Sequence, residues 1–174
     1  MITGAPSSGK TTLVKELEKL GYRVVHEVAR AIIEMEMEKD RTLEEIRSDK
    51  ESFENLVLDT KIAIEAKLPK DEVILFDRAV PDSIAYFEIA GVDTQEAVAK
   101  SPRNRYKKIF LLDRLPFHRD HARIEDQETA ARLDRGLEAS YRGLGYDVIR
   151  IGVMPVKDRL SLIVQEIEKN GVSK

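Results

Sequence analysis

The run Gly4-Ala5-Pro6-Ser7-Ser8-Gly9-Lys10-Thr11 places glycine, lysine and a hydroxyl residue at the four fixed positions of G-x-x-x-x-G-K-[ST]. Glycines at Gly4 and Gly9 let the backbone curl until successive N–H groups face one point. A helix beginning at the end of that curl aims its positive dipole end at the same point. The natural occupant is a phosphate. Lys10 adds a compact charge for β- and γ-phosphate oxygens, the Thr11 hydroxyl suits Mg²⁺, and Thr12 suits an α-phosphate oxygen, with Ser7 and Ser8 completing the cradle. The plain alternative is a Gly/Ser surface turn. Against it, the motif follows a short β-like stretch and precedes an amphipathic helix, which is the context the motif requires.

A second acidic position follows from Val73-Ile74-Leu75-Phe76-Asp77, an apolar run ending in a carboxylate. That form is expected of a Walker B element reaching Mg²⁺ directly or through water, although a strand-end Asp also serves as a turn former. Arg78 comes next, at a strand C-terminus, where ligands collect in open α/β sheets. A third run, Tyr22–His26, leads into Glu27-Val28-Ala29-Arg30. Glu27 is placed to take a proton from a hydroxyl attacking a γ-phosphate. It could equally be a helix-start carboxylate that favours the dipole and pairs with Arg30. Beyond the fourth apolar run, residues 113–125 are dense in charge and too broken for a strand. Such a segment can fold over phosphates as a lid and bring arginine to charge developing on a transferred group, or lie solvated with its arginines paired to Asp120, Glu125 and Asp126. His118 and His121 within it read as solvent-facing.

The elements that must position these residues alternate between short apolar runs and helix-period segments, the mark of βαβ units and a parallel sheet. Strands are expected at Met1–Thr3, Tyr22–His26, Glu72–Phe76, Tyr106–Leu112 and Tyr146–Ile151. Helices are expected over Lys10–Leu20, closed by Gly21, and over Glu27–Glu38. Thr42-Leu43-Glu44-Glu45 has capping-box spacing and opens a long helix, continuous or broken, whose stripe is Ile46, Phe53, Val57, Ile64 and Leu68. Leu133, Leu137, Tyr141 and Leu144 mark another helix, and Leu160, Ile163, Val164 and Ile167 the last, with Pro155 in its first turn. Met35, Met37 and the aromatics at 86, 87, 106 and 110 read as core or interface packing.

With 174 residues, the chain suits one nucleotide-binding domain spanning 1–174. Cysteine is absent and only three histidines occur, which excludes a disulfide scaffold and a thiolate metal site. A net charge of -3 offers no field for a nucleic acid. No leader and no apolar run of membrane-spanning length are seen, so a cytoplasmic protein is expected. Homo-oligomerisation is left open.

Taken together, these residues resemble AAA-like P-loop ATPase/kinase domains related to the nicotinamide riboside kinase portion of a bifunctional NAD-biosynthesis regulator. The likeness rests on Ile2 through Thr12, Tyr22-Arg23-Val24-Val25 with Glu27-Val28-Ala29-Arg30, Phe76-Asp77-Arg78 with Pro81-Asp82, Phe110-Leu111-Leu112 leading to Arg119-Asp120 and Arg123, and Tyr141–Tyr146. It spans nearly the whole chain. What the resemblance implies is a three-layer α/β sandwich with a five-stranded parallel sheet of order 2-3-1-4-5. It also implies a lid at about 114–125 carrying Arg119 and Arg123, and an acceptor pocket near Glu27, Arg30, Asp77 and Arg78. The loop Ala5-Pro6-Ser7-Ser8 is less glycine-rich than is usual in the group, and the first strand is short.

The expected activity is transfer of the γ-phosphoryl of ATP, with Mg²⁺, to a small nucleoside- or nucleotide-like acceptor. Lys10, Glu27, Asp77, Arg119 and Arg123 would be catalytic, and Thr11 and Asp77 would hold the metal. The rival expectation is a nucleotide-dependent switch that hydrolyses ATP or GTP slowly without an acceptor. Guanine selectivity lacks its Asn/Thr-Lys-x-Asp run, so adenine is expected, contacted near Gly152–Val156.

Overall fold

The computed structural model describes residues 1–69, 71–103, 105–116 and 127–169. In chain order these form β1 (Ile2–Thr3), α1 (Lys10–Lys19), β2 (Arg23–Val25), α2 (Val28–Met37), α3 (Leu43–Ile46), α4 (Lys50–Ala66) and β3 (Ile74–Phe76). They continue with α5 (Asp82–Ala90), α6 (Gln95–Lys100), β4 (Ile109–Leu112), α7 (Gln127–Gly143), β5 (Val148–Ile151) and α8 (Val156–Glu168). The lid residues from Phe117 to Asp126, with Arg119, Arg123, His118 and His121, lie outside the described residues.

All strand pairs are parallel, as the βαβ pattern demands. One ladder runs β1-β4-β5 and a second pairs β2 with β3. Between the ladders, Ile2 and Asp77 form an isolated parallel bridge, and the Arg78 N–H donates to the Ile2 carbonyl at 3.0 Å. The paired strands are shorter than their apolar runs mainly at their N-terminal ends: β3, β4 and β5 begin at Ile74, Ile109 and Val148 and keep the C-terminal ends of their runs.

Apolar residues on both faces of the ladders form the core. On one face Ile2, Leu75, Phe110 and Ile151 meet Leu13, Val14 and Leu17 of α1 and Ile163 and Ile167 of α8. On the other, Phe76, Tyr106, Tyr141 and Tyr146 pack together, Phe76 against Tyr106 and Tyr141 against Tyr146 edge to face, with the Phe76 and Tyr106 rings 5.7 Å apart. The expected long helix is broken into α3 and α4. Thr42 and Glu45 complete the capping box that starts α3, and Asp49 caps α4 through the Ser52 N–H.

Two helices were not visible in the periodicity. α5 is apolar on nearly every side and packs between α4 and α7, so no polar face marks its period. α6 has only six residues. Met35 and Met37, at 49% and 52% exposure, stand on the surface of α2 and are not core. Pro155 is the N-cap of α8 and precedes its first turn.

Candidate functional site

Gly4 closes against the sheet so tightly that a side chain there would meet the Ser8 hydroxyl at 2.7 Å and the Leu112 carbonyl at 2.9 Å. From that anchor the loop rises through Ser7 and Gly9, both left-handed at φ 65 and 79. α1 then begins without a side-chain cap, so its first-turn N–H groups remain available to an anion. Ser8 is buried, while Ser7, Thr11 and Thr12 stay open at the surface.

The loop is held from behind by Arg159 of α8, which is buried and donates to three carbonyls. Nη1 reaches Ser8 O at 2.5 Å, Nη2 reaches Asp113 O at 3.0 Å and Nε reaches Gly152 O at 2.9 Å. One guanidinium thus ties the phosphate loop to the segments that follow β4 and β5.

Four residues singled out in the sequence meet at the ends of β2 and β3. The buried Lys10 ammonium contacts the Asp77 carboxylate and lies 3.1 Å from Glu27 Oε2. Arg78 Nε donates to Glu27 Oε1, also at 3.1 Å. Burial alone would raise the Glu27 carboxyl, but Arg78 and Lys10 overcome it and hold the group at about 2. Arg78 itself is left-handed at φ 66, a conformation costing a non-glycine residue about 1–2 kcal/mol. This turn points its guanidinium along the Tyr86 ring, 5.0 Å from the centroid.

Arg30 does not join this group. It sits on the outer face of α2, paired with Glu34 at 2.8 Å. Asp82, by contrast, is fully buried at the base of the site. It accepts from the Thr3 hydroxyl, from the Tyr141 hydroxyl at 2.5 Å and from the Ala79 N–H at 3.0 Å, with Arg78 Nη1 at 3.6 Å.

A cavity of about 470 Å³ opens beside this group, with Glu27, Arg78, Lys61, Tyr86 and Phe53 among its walls and Pro6 of the phosphate loop at its edge. Lys61 is a site residue that the sequence reading missed. Its signal was present, because positions 57, 61 and 65 share one face of α4 and charges at Lys61 and Glu65 interrupt an apolar stripe. Glu65 is a structural partner. It accepts from the Tyr106 hydroxyl at 2.8 Å and the Val80 N–H at 3.2 Å, and pairs with Arg105 at 2.9 Å. Among the described residues no cluster of three or more acidic or histidine side chains could hold a metal unaided, and no helix is long and apolar enough to cross a membrane.

A phosphate loop and a strand-end carboxylate on parallel β/α architecture define a P-loop type of α/β protein. The family model described as AAA domain matches residues 1–159, and the chain belongs to that family. No curated protein matches the sequence. Among solved structures, it is similar to deoxyadenosine kinase from M. mycoides with products dCMP and a flexible dCDP bound, at 19% identity, with 97% of each chain covered and a TM-score of 0.64. It is also similar to thymidylate kinase from Candida albicans, at 14% identity, covering 99% of this chain and 93% of that one, again with a TM-score of 0.64. At such identities the likeness speaks for the fold.

Proposed function

We propose that this chain is an ATP-dependent phosphotransferase that moves the γ-phosphoryl group of ATP to a small nucleoside- or nucleotide-like acceptor. The observation that carries the reading is that the phosphate-loop lysine and the cavity beside it share Glu27. Donor and acceptor would thus meet across one carboxylate. A slow switch has no use for a cavity opening beside the phosphate loop.

In this reading Gly4, Ser7, Ser8, Gly9, Lys10, Thr11 and Thr12 cradle the phosphates. Lys10 leaves Asp77 and Glu27 for the β/γ oxygens when nucleotide arrives. Thr11 and Asp77 offer a hydroxyl and a carboxylate, hard oxygen donors that suit a Mg²⁺ ion brought with the nucleotide, whose phosphates supply the remaining ligands. Bound there, Mg²⁺ would neutralise charge on the phosphates. Glu27 and Arg78 orient the acceptor, and for a hydroxyl acceptor Glu27 would take the proton. Arg119 and Arg123 are assigned to the lid, where they balance charge on the transferring group. The exposed Val153 and Val156 after β5 suit an adenine face.

The sheet order 2-3-1-4-5 belongs to the same proposal. It is supported by the Ile2–Asp77 bridge and by the Asp77 N–H donating to Val25 O at 2.8 Å, which together join the two ladders at β3 and β1. So do the treatment of 1–174 as one domain, a cytoplasmic location and the kinship with nicotinamide riboside kinases.

ADP formation measured with and without a panel of nucleosides and nucleotides tests the reading. Turnover should rise with an acceptor. A rate that no acceptor changes would refute it.

A further inference from the structure

The inner wall of the cavity carries two buried cations whose hydrogen-bonding capacity the protein leaves unfilled. Lys61 on α4 is 4% exposed, and its one acceptor among the described residues is the Ser83 hydroxyl at 3.0 Å. An ammonium has three donors. Arg78 is 7% exposed and gives Nε to Glu27, while its Nη1 is buried with no hydrogen-bond partner among the described residues. Asp82 Oδ1, the carboxylate oxygen paired with Nη1, stands at 3.6 Å, and both oxygens of Asp82 already accept from Thr3, Tyr141 and Ala79. A buried donor left without an acceptor is destabilising. Lys61 and Arg78 both line the same cavity.

The charges around them lean the same way. Arg47 and Lys50 also line the cavity, so four cations face two carboxylates, Glu27 and Glu54. Glu27 is already shared between Lys10 and Arg78. Burial pushes the Glu54 carboxyl up, toward its neutral form. The same effect pulls the Lys61 ammonium down, with Asp82 opposing it, and an anion arriving beside Lys61 would favour its charged form further. Phe53 and Tyr86 supply flat walls for the uncharged part of a ligand. A neutral hydroxyl offers one oxygen and no charge to this wall, whereas a phosphate offers three oxygens and up to two charges.

We infer that the acceptor is a phosphate monoester, seated with its phosphate on Lys61 Nζ and Arg78 Nη1, so that the chain is a kinase of nucleotide-like rather than nucleoside-like compounds. The inference rests on the phosphotransferase reading above. The chemistry balances without a base, because a monoester is largely ionised at neutral pH. One of its oxygens bonds to the γ-phosphorus as the bond from that phosphorus to the β,γ-bridging oxygen breaks. The electron pair leaves with ADP, and the acceptor becomes a diphosphate ester. Glu27 then holds Lys10 and Arg78 and moves no proton, which suits a carboxyl held at about 2.

The test compares nucleosides with their 5′-monophosphates on the unaltered protein, by calorimetric binding and by ADP formation from ATP with Mg²⁺. Monophosphates should bind at least tenfold more tightly than the parent nucleosides and should be the compounds that stimulate turnover. Lys61→Met should raise the KM for the monophosphate at least tenfold while the KM for ATP stays within about twofold, and Lys61→Arg should recover part of the loss. Equal binding of nucleosides and monophosphates overturns the inference and leaves the phosphotransferase reading standing, as does a Lys61→Met variant that folds and keeps its KM. Binding of neither class overturns it too. If monophosphates bind but stimulate nothing, the phosphotransferase reading fails while the anion-binding wall is upheld.

Discussion

Replacing Glu27 with glutamine keeps the shape of the side chain and removes the charge that Lys10 and Arg78 share. The carboxyl is held at about 2 against an ordinary value of 4.5, a gap equivalent to about 3 kcal/mol at about 1.4 kcal/mol per pH unit. Its side chain is 25% exposed, so solvent screening does not erase this figure. The sign follows from linkage: because the folded-state value is depressed, the stabilisation is fully present above about 4.5 and is lost as pH falls toward about 2. Urea unfolding of the unaltered protein and of Glu27→Gln, without nucleotide, should therefore differ by about 3 kcal/mol at pH 7. The difference should shrink to about half near pH 3, where the carboxyl of the unfolded chain has taken up its proton while that of the folded protein is still largely ionised. Comparing the two proteins at each pH cancels the titration of the other carboxylates they share. A difference that stays constant with pH, or that grows in acid, would refute the assignment of Glu27 as the shared anion.

Lys10→Ala should weaken ATP binding and lower turnover by about 10²–10³-fold, read by calorimetry and ADP formation, since it removes the charge aimed at the β/γ oxygens. Near-normal affinity would overturn the phosphate-loop assignment. Activity should be lost in EDTA and return with Mg²⁺ or Mn²⁺, and Asp77→Asn should raise the metal concentration needed for half-maximal rate. Metal-independent turnover would contradict this. Arg159→Met should lower the melting temperature and raise the Kd for ATP together, because Ser8, Asp113 and Gly152 each lose a charge-assisted donor. A melting temperature that falls with no change in ATP affinity would show that Arg159 supports α8 alone.

Much of this architecture could be read from sequence pattern because local chemistry sets it. The five strand runs, the start of α1 at Lys10 and the capping box at Thr42 all appear where spacing put them. α5 escaped because a helix buried on nearly every side has no polar face to beat against a 3.6 period. The site divides along the same line. Lys10, Glu27, Asp77 and Arg78 were findable because each ends a strand or opens a helix at the ligand edge. Arg30 was placed there by sequence proximity, but three helical residues carry it round to the face where Glu34 waits. Lys61 and Asp82 matter through partners 22 and 79 positions away, Ser83 and Thr3, and no local window contains those pairings.

The row Asp77, Lys10, Glu27, Arg78, Asp82 alternates in sign along the ends of β2 and β3. Alternation matters because each charge is stabilised by its two neighbours, so deleting an inner member leaves like charges facing across a poorly solvated gap. The resting protein can therefore keep Lys10 buried between two carboxylates without a ligand, at the cost of occupying the carboxylate that a metal would use. In the proposed reading a nucleotide would resolve that conflict: its phosphates would draw Lys10 out of the row and free Asp77, while Glu27 would keep Arg78 in place. Cavity and phosphate loop would then stop being separate sites. If Lys10 binds the donor, it also sets how much negative charge Glu27 presents to Arg78, so donor binding should tighten the Glu27–Arg78 pair and fix the guanidinium against Tyr86. An acceptor would meet an ordered Arg78 after ATP has bound. Donor-first binding is thus the order that the charge row favours, and product-inhibition patterns can check it.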